Sequence, residues 1–190
     1  TLVTDELNFP NLSMVGVDDR AAAYTAVDYL IRQGHRKIAV LGGPVTSYPS
    51  LMRRKGAQEA MENAGILFND KLYGLSNYDF ESAYHAMNGL LARRAEFTAL
   101  FAMSDVIAFG AIRALVSAGF RVPEDVSVIG FDGITMSRYC VPVMTTIVQP
   151  SEQIALQSIE LLVRQIEHGS PAQTVTLQPE LQQGESVRAI

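Results

Sequence analysis

Short runs of apolar, often β-branched residues alternate along this chain with longer segments in which apolar residues recur every three or four positions. The short runs predict buried strands, and the periodic segments predict helices with one apolar face. The predicted strands are 13–17, 37–41, 98–103, 126–131, 145–148 and 174–177, and the predicted helices are 20–33, 51–64, 80–93, 105–118 and 151–168.

This alternation, with short connections, predicts an α/β fold in which a parallel sheet is wrapped by helices. The strands are continuously apolar, as expected when helices cover both faces of a sheet. Helix 105–118 is apolar almost all round, so it must be covered on both sides, by the core or by a partner subunit. In helix 151–168 the spacing predicts that Ala155, Ile159, Leu162 and Ile166 face inward.

The composition narrows the class of protein. The chain has 190 residues and a net charge of −5, with Arg53-Arg54-Lys55 as its densest basic run, so we do not expect this segment to bind DNA directly. Its single cysteine, Cys140, excludes an internal disulfide and agrees with a cytoplasmic location. No signal peptide or membrane span is recognisable, and the first residue is not Met, so the chain is expected to be a fragment.

We expect binding residues just past the predicted strands, because ligands of open α/β sheets bind at the carboxyl ends of the strands. A guanidinium, carboxylates, an amide, hydroxyls and an aromatic ring could converge there, which is the mixture that a sugar needs. The candidates are Ser47, Arg53, Tyr78, Ser104, Asp105, Asp132 and Gln149.

Five of the candidates also have an ordinary structural interpretation. Ser104 or Asp105 could cap the following helix, and Asp132 before Gly133 could form only a turn. Arg53 could lie on a solvated helix face, and Tyr78 could serve only packing. Catalysis has little support, because phosphate-loop, nucleophile-elbow and metal-ligand spacings are absent from the sequence. We therefore expect neither an enzyme nor a cofactor.

Five segments together resemble the lactose/galactose repressor family of bacterial transcriptional regulators. They are residues 34–44 (GHRKIAVLGGP), 53–56 (RRKG), 104–110 (SDVIAFG), 122–132 (VPEDVSVIGFD) and 142–147 (PVMTTI). The segments occur in the order found in that family. The resemblance covers about Val17 to Ser186 and is far more specific than any single motif.

The resemblance implies two Rossmann-like lobes of the periplasmic-binding-protein type, with an effector in the cleft between them. Residues 1–18 and 149–173 would be remnants of an incomplete first lobe, and residues 19–148 and 174–190 would form the second lobe. The DNA-binding head would lie outside this chain. The implied partners are a small-molecule effector, most simply a sugar, and a second copy in a homodimer. DNA would be bound only through the head, and no membrane is involved.

The resemblance also implies roles for single residues. Arg53 falls where the family grips the effector with an arginine, Asp132 where an aspartate binds the sugar, and Tyr78 at a wall position that is commonly aromatic. Ser104 stands where asparagine is frequent, and Gln149 lies at a crossing between lobes. Two departures, Ser151 and Gly184, put the pocket shape and the C-terminal motif in doubt. The alternative is a periplasmic sugar-binding protein, which a signal peptide upstream would indicate.

Overall fold

The computed structural model describes residues 12–94 and 96–190. Residues 1–11, which the sequence assigned to the first-lobe remnant, lie outside the described residues. The helices are α1 (Asp19–Arg32), α2 (Tyr48–Asn63), α3 (Phe80–Ala92), α4 (Asp105–Ser117) and α5 (Ser151–His168). The strands are β1 (Met14–Val17), β2 (Ile38–Gly42), β3 (Tyr73–Leu75), β4 (Ala99–Ala102), β5 (Ser127–Asp132), β6 (Thr145–Val148), β7 (Thr174–Leu177) and β8 (Glu180–Gln182).

The larger unit is built on a six-stranded sheet with the order β3-β2-β4-β5-β6-β8. All neighbouring strands are parallel except β8, which pairs antiparallel with β6 at the edge. Every residue of β2 and β4 is buried, as their unbroken apolar sequences predict. The predicted α/β fold with a mostly parallel, helix-wrapped sheet is confirmed.

The helices of the larger unit pack in two pairs, α1 with α2 and α3 with α4. Right-handed crossovers between parallel strands place these pairs on opposite faces of the sheet. Polar side chains cap the helices where they leave the strand ends: the carboxylate of Asp18 accepts from the amide of Ala21 at 2.9 Å, and that of Asp79 accepts from the amide of Ser82 at 2.8 Å. The loops that lead from β1 into α1 and from β3 into α3 are thereby fixed.

The smaller unit consists of β1, β7 and α5. Its two strands pair in parallel, Val15 opposite Val175, in a sheet separate from the larger one. Val15 forms a small core of its own with Ile154 and Leu161. Strand 174–177 therefore pairs within the smaller unit, not with the second-lobe segment to which the sequence assigned it, and the chain returns to the larger sheet only at β8.

The predicted inward face of α5 is wrong in detail. Ile154 and Leu161 are buried, whereas Ile159 is 62% exposed and Ile166 is 74% exposed. The physical reason is that a helix over only two strands is covered along a narrow stripe. Among the residues that the structure describes, no helix has the length and hydropathy needed to cross a membrane.

Candidate functional site

One cleft lies where the two units meet. A cavity of about 360 Å³ opens between the small sheet and the first turns of α1 and α2. The residues that line it come from both units: 14–20, Tyr48, Pro49, Met52, Arg53, Gln149 and 174–176. The cleft therefore joins apolar walls to a small number of charged and polar groups, which is the usual make-up of a ligand pocket.

Arg53 is the centre of the polar network in this cleft. It is only 6% exposed, and its guanidinium stacks on the ring of Phe131 at 3.7 Å. Its Nε donates to Asp19 Oδ1 at 2.7 Å, and its Nη1 donates to the carbonyl oxygen of Met103 and to Asp132 Oδ1, the latter at 3.4 Å. The solvated-face interpretation of Arg53 is wrong, because α2 packs this side against β5.

Asp132 ends strand β5 with an unusual backbone. Its φ of 108° lies in the region that favours glycine, so the surrounding structure must hold it there. Its carboxylate accepts from Gln149 Nε2 at 2.7 Å as well as from Arg53. Burial raises the pKa of Asp132, while Arg53 and the Gln149 hydrogen bond oppose the rise. Arg53 and Asp132 are thus in contact, although Arg53 lines this cleft and Asp132 lines the neighbouring depression, so a shared ligand gap stays a prediction.

Gln149 links the cleft to a second, more open depression. That depression has a volume of about 690 Å³ and is lined by Asp132 and by the residues on either side of the β6–α5 connection. Gln149 lines both cavities, and it lies on the segment that carries the chain from the larger unit to the smaller one. The Asp132 carboxylate is therefore hydrogen-bonded to a segment that connects the two units.

Asp19 was missed by the sequence reasoning. It is the first residue of α1, its side chain is 12% exposed, and it holds Nε of Arg53. The signal was present, since Asp19 follows β1 in the same way that Asp132 ends β5. Acidic residues are common in a first helical turn without any ligand, so the sequence alone does not mark Asp19 as a site residue. The structure shows one guanidinium between two carboxylates.

Three candidates do not line either of these cavities. Ser47 caps α2 by accepting from the amide of Ser50 at 3.4 Å, and Ser104 caps α4 by accepting from the amide of Ile107 at 3.1 Å. The ring of Tyr78 packs on Gly43, where an added Cβ would lie 2.0 Å from the ring, and its buried hydroxyl has no partner among the described residues. For Ser104 and Tyr78 the geometry matches the ordinary structural interpretation, and Ser47 likewise caps a helix.

Asp105 also stays outside these cavities, although it is fully buried. Its Oδ1 accepts from Thr146 Oγ1 at 2.6 Å, and its Oδ2 accepts from the amide of Ile134 at 2.8 Å. Burial raises the pKa of Asp105 to about 6 against the opposing effect of these hydrogen bonds. Within the described residues, no cluster of three or more His, Cys, Asp or Glu side chains could hold a metal ion.

Comparison with known proteins agrees with this architecture. The family of periplasmic binding protein-like domains matches residues 27–187. The chain belongs to that family. The similar solved structures include regulators of the lactose repressor family, which confirms the resemblance seen in the sequence motifs.

Three relatives illustrate the match to this family. The transcriptional repressor PurR of Histophilus somni is 34% identical over 181 residues, which are 95% of this chain and 54% of the relative. The transcriptional regulator CelR in its cellobiose complex superposes with a TM-score of 0.92 at 32% identity, over 97% of this chain and 57% of that one.

The third is a sugar-binding regulator of the lactose repressor family from Escherichia coli, solved with phosphate. It gives a TM-score of 0.85 at 35% identity, over 93% of this chain and 64% of that one. The chain thus spans about half the length of the curated relatives that it matches.

Proposed function

We propose that this chain is the effector-binding core of a bacterial transcriptional repressor. The observation that carries the proposal is the contact of Asp132 with two residues that line the cleft, Arg53 and Gln149 of a connecting segment, both of which bind its carboxylate. The relatives support it, because those reported above are named as transcriptional repressors or regulators. These names favour a regulator over the alternative, a periplasmic sugar-binding protein. We do not assign an enzymatic activity.

The proposed effector is a small hydroxylated molecule, most simply a sugar. A carboxylate can accept hydrogen bonds from two sugar hydroxyl groups, while a guanidinium and an amide can donate hydrogen bonds to sugar oxygens. Tyr48, Pro49 and Met52 supply apolar surface in the same lining for the C–H face of a sugar ring. The cellobiose complex of CelR is consistent with this ligand class.

The proposed response is a change in how the two units sit about the cleft. Residues 1–18, 149–173 and β7 would belong to the first lobe, and 19–148 with 180–190 to the second. An effector can favour one arrangement only by binding it more tightly than the other. Because the network includes Asp19 and Gln149, which flank two of the connections, engagement of Asp132 by an effector would act on the connections themselves.

The remaining parts of the proposal concern partners and location. A homodimer would use the segment 139–142, where Tyr139 is 77% exposed and Val141 is 93% exposed. One side of α4 already packs in the core, since Ile107, Ala111 and Leu115 are buried, so only its outer face is free for a partner. DNA would be bound by a head outside this chain, and the complete protein would work in the cytoplasm.

Calorimetric titration with cellobiose and a panel of monosaccharides tests the site. Asp132→Asn keeps the shape of the side chain but removes its charge, and we expect an affinity loss of about ten- to a hundredfold for any sugar that the wild type binds. Asp125→Asn is the matched control, because Asp125 is paired with Arg121 away from the cleft. Equal affinity in Asp132→Asn and wild type would refute the site.

A further inference from the structure

Asp105 lines neither cavity, yet its carboxylate is hydrogen-bonded to the loop that follows Asp132. Oδ2 accepts a hydrogen bond from the amide of Ile134 at 2.8 Å, and the neighbouring amide of Gly133 also favours the charged form of the carboxylate. These are the two amides that follow Asp132 in the chain. Oδ1 is fixed from the other side by Thr146 Oγ1 on the neighbouring strand β6. The carboxylate therefore fastens the loop after Asp132 to the sheet.

Asp132 needs such support because of its backbone. A φ of 108° is unfavourable for an aspartate, and a strained residue keeps its conformation only where its surroundings fix it. If the amides of Gly133 and Ile134 were released, Asp132 could relax, and its carboxylate would turn away from Gln149 Nε2 and Arg53 Nη1.

The sheet is shaped to admit the Asp105 carboxylate. Gly130 lies beneath it on β5, and a Cβ at that position would come within 2.2 Å of Asp105 Oδ1. Any larger residue there would displace the carboxylate from Thr146 and from the loop. The need for glycine at position 130 thus has a specific physical cause, which is room for a charged group from α4.

We propose that Asp105 is the positioning residue for Asp132, holding the 132–134 loop in the conformation that presents the Asp132 carboxylate to an effector. The effector part of this statement rests on the proposed function of the cleft, whereas the positioning part can be tested without a ligand. Asp105 itself does not touch the effector. It acts through two backbone amides, and for that reason the sequence could not separate its role from that of a ligand-binding carboxylate.

The positioning contact should respond to pH. Protonation of Asp105 removes its charge, and a neutral carboxyl accepts a weaker hydrogen bond from Ile134 and loses the favourable effect of the Gly133 amide. Burial places the pKa of Asp105 at about 6, and the nearby charge of Asp132 adds to the rise. Cys140 also interacts electrostatically with Asp105: its own pKa is raised by burial and in part by Asp105, so its thiol is uncharged in this range.

The experiment is an NMR titration of the unliganded chain from pH 5 to 8, following the amide resonances of Gly133 and Ile134. We expect both to shift with a midpoint near pH 6 in the wild type, and to lose that shift in Asp105→Asn. Thr146→Val keeps the shape of the side chain but removes a hydrogen bond to the carboxylate, so the midpoint should rise. Flat wild-type resonances, or unchanged titration in Asp105→Asn, would overturn the proposal.

Sugar affinity then separates this inference from the proposed function. If the wild type binds cellobiose or a monosaccharide of the panel, Asp105→Asn should weaken binding about tenfold or more, and wild-type affinity should fall below pH 6. Unchanged affinity in that variant would overturn the positioning role. If no sugar binds but the two amides titrate as expected, the positioning role stands and the sugar-binding function fails. Asp125→Asn should leave both readouts unchanged.

Discussion

Replacing Arg53 with methionine should destabilise the fold as well as affect the cleft. Methionine retains most of the aliphatic packing on Phe131 but removes the guanidinium. Asp19, with its side chain 12% exposed, and Asp132, at 27%, would then face each other without their shared cation. The carbonyl oxygen of Met103 would also lose its donor.

The expected magnitude follows from burial. Arg53 is 8% exposed in its side chain, so its pair with Asp19 is not a surface salt bridge worth a fraction of a kcal/mol. Removing one member of a buried pair typically costs about 3–5 kcal/mol, because the remaining charge stays desolvated. We expect Arg53→Met to fall in this range at pH 7. Arg53→Ala is for the same reason not a clean binding variant, because it should destabilise the fold as well as remove the guanidinium from the cleft.

Urea denaturation followed by circular dichroism at pH 7 and pH 4.5 measures the effect. The pKa of Asp132 is raised by burial, and the loss of Arg53 removes an interaction that opposes this rise. A carboxyl with a raised pKa is tolerated at low pH and becomes costly as pH rises through that pKa. The difference in unfolding free energy between Arg53→Met and wild type should therefore be smaller at pH 4.5 than at pH 7.

Lys55→Met is the matched control, since Lys55 lies two residues further along α2 on an exposed face. It should change the unfolding free energy by no more than about 0.5 kcal/mol. If Arg53→Met cost no more than Lys55→Met, or if its cost were the same at both pH values, the reasoning about the buried cation would be refuted.

Three further substitutions give predictions about stability. Gly56→Ala should destabilise by about 1–3 kcal/mol, because its Cβ would lie 2.0 Å from the carbonyl oxygen of Arg20 where α1 crosses α2. Gly89→Ala, in open space on α3, should instead stabilise by up to about 1 kcal/mol; thermal unfolding of the pair checks both, and equal shifts would contradict the packing argument. Burial lowers the pKa of His35, whose Nδ1 is hydrogen-bonded to Thr98 Oγ1. The free energy of unfolding should therefore fall as pH drops below 6.5, and urea titrations of His35→Asn should lack that part of the pH dependence.

The sequence predicted the elements whose burial is continuous. Strands β2, β4 and β5 are apolar runs that lie in the middle of the sheet, and their burial follows from their composition. It did not reveal β3 and β8, which have three residues each. Segments that short carry no periodicity, and it is pairing with β2 or β6 that makes them strands.

The candidate site was predicted through one general rule, that polar residues past strand ends converge. The rule found Arg53, Asp132 and Gln149, whose side chains meet in the structure. It could not separate them from Ser104, which caps a helix, or from Asp105, which holds a loop. Asp132, Gln149, Ser104 and Asp105 all lie at or just after the end of a strand and differ in the direction in which the side chain points, whereas Arg53 reaches the site from α2.

The sequence by itself determined the fold class and the family, because strand burial, helix periodicity and ordered motifs are local properties of the chain. Tertiary structure decided the sheet to which β7 belongs, the presence of Asp19 beside Arg53, and the side of Asp132 on which Asp105 acts. The reason is physical. Which carboxylate meets which donor depends on distances between segments tens of residues apart, and no local pattern of apolar and polar residues encodes those distances.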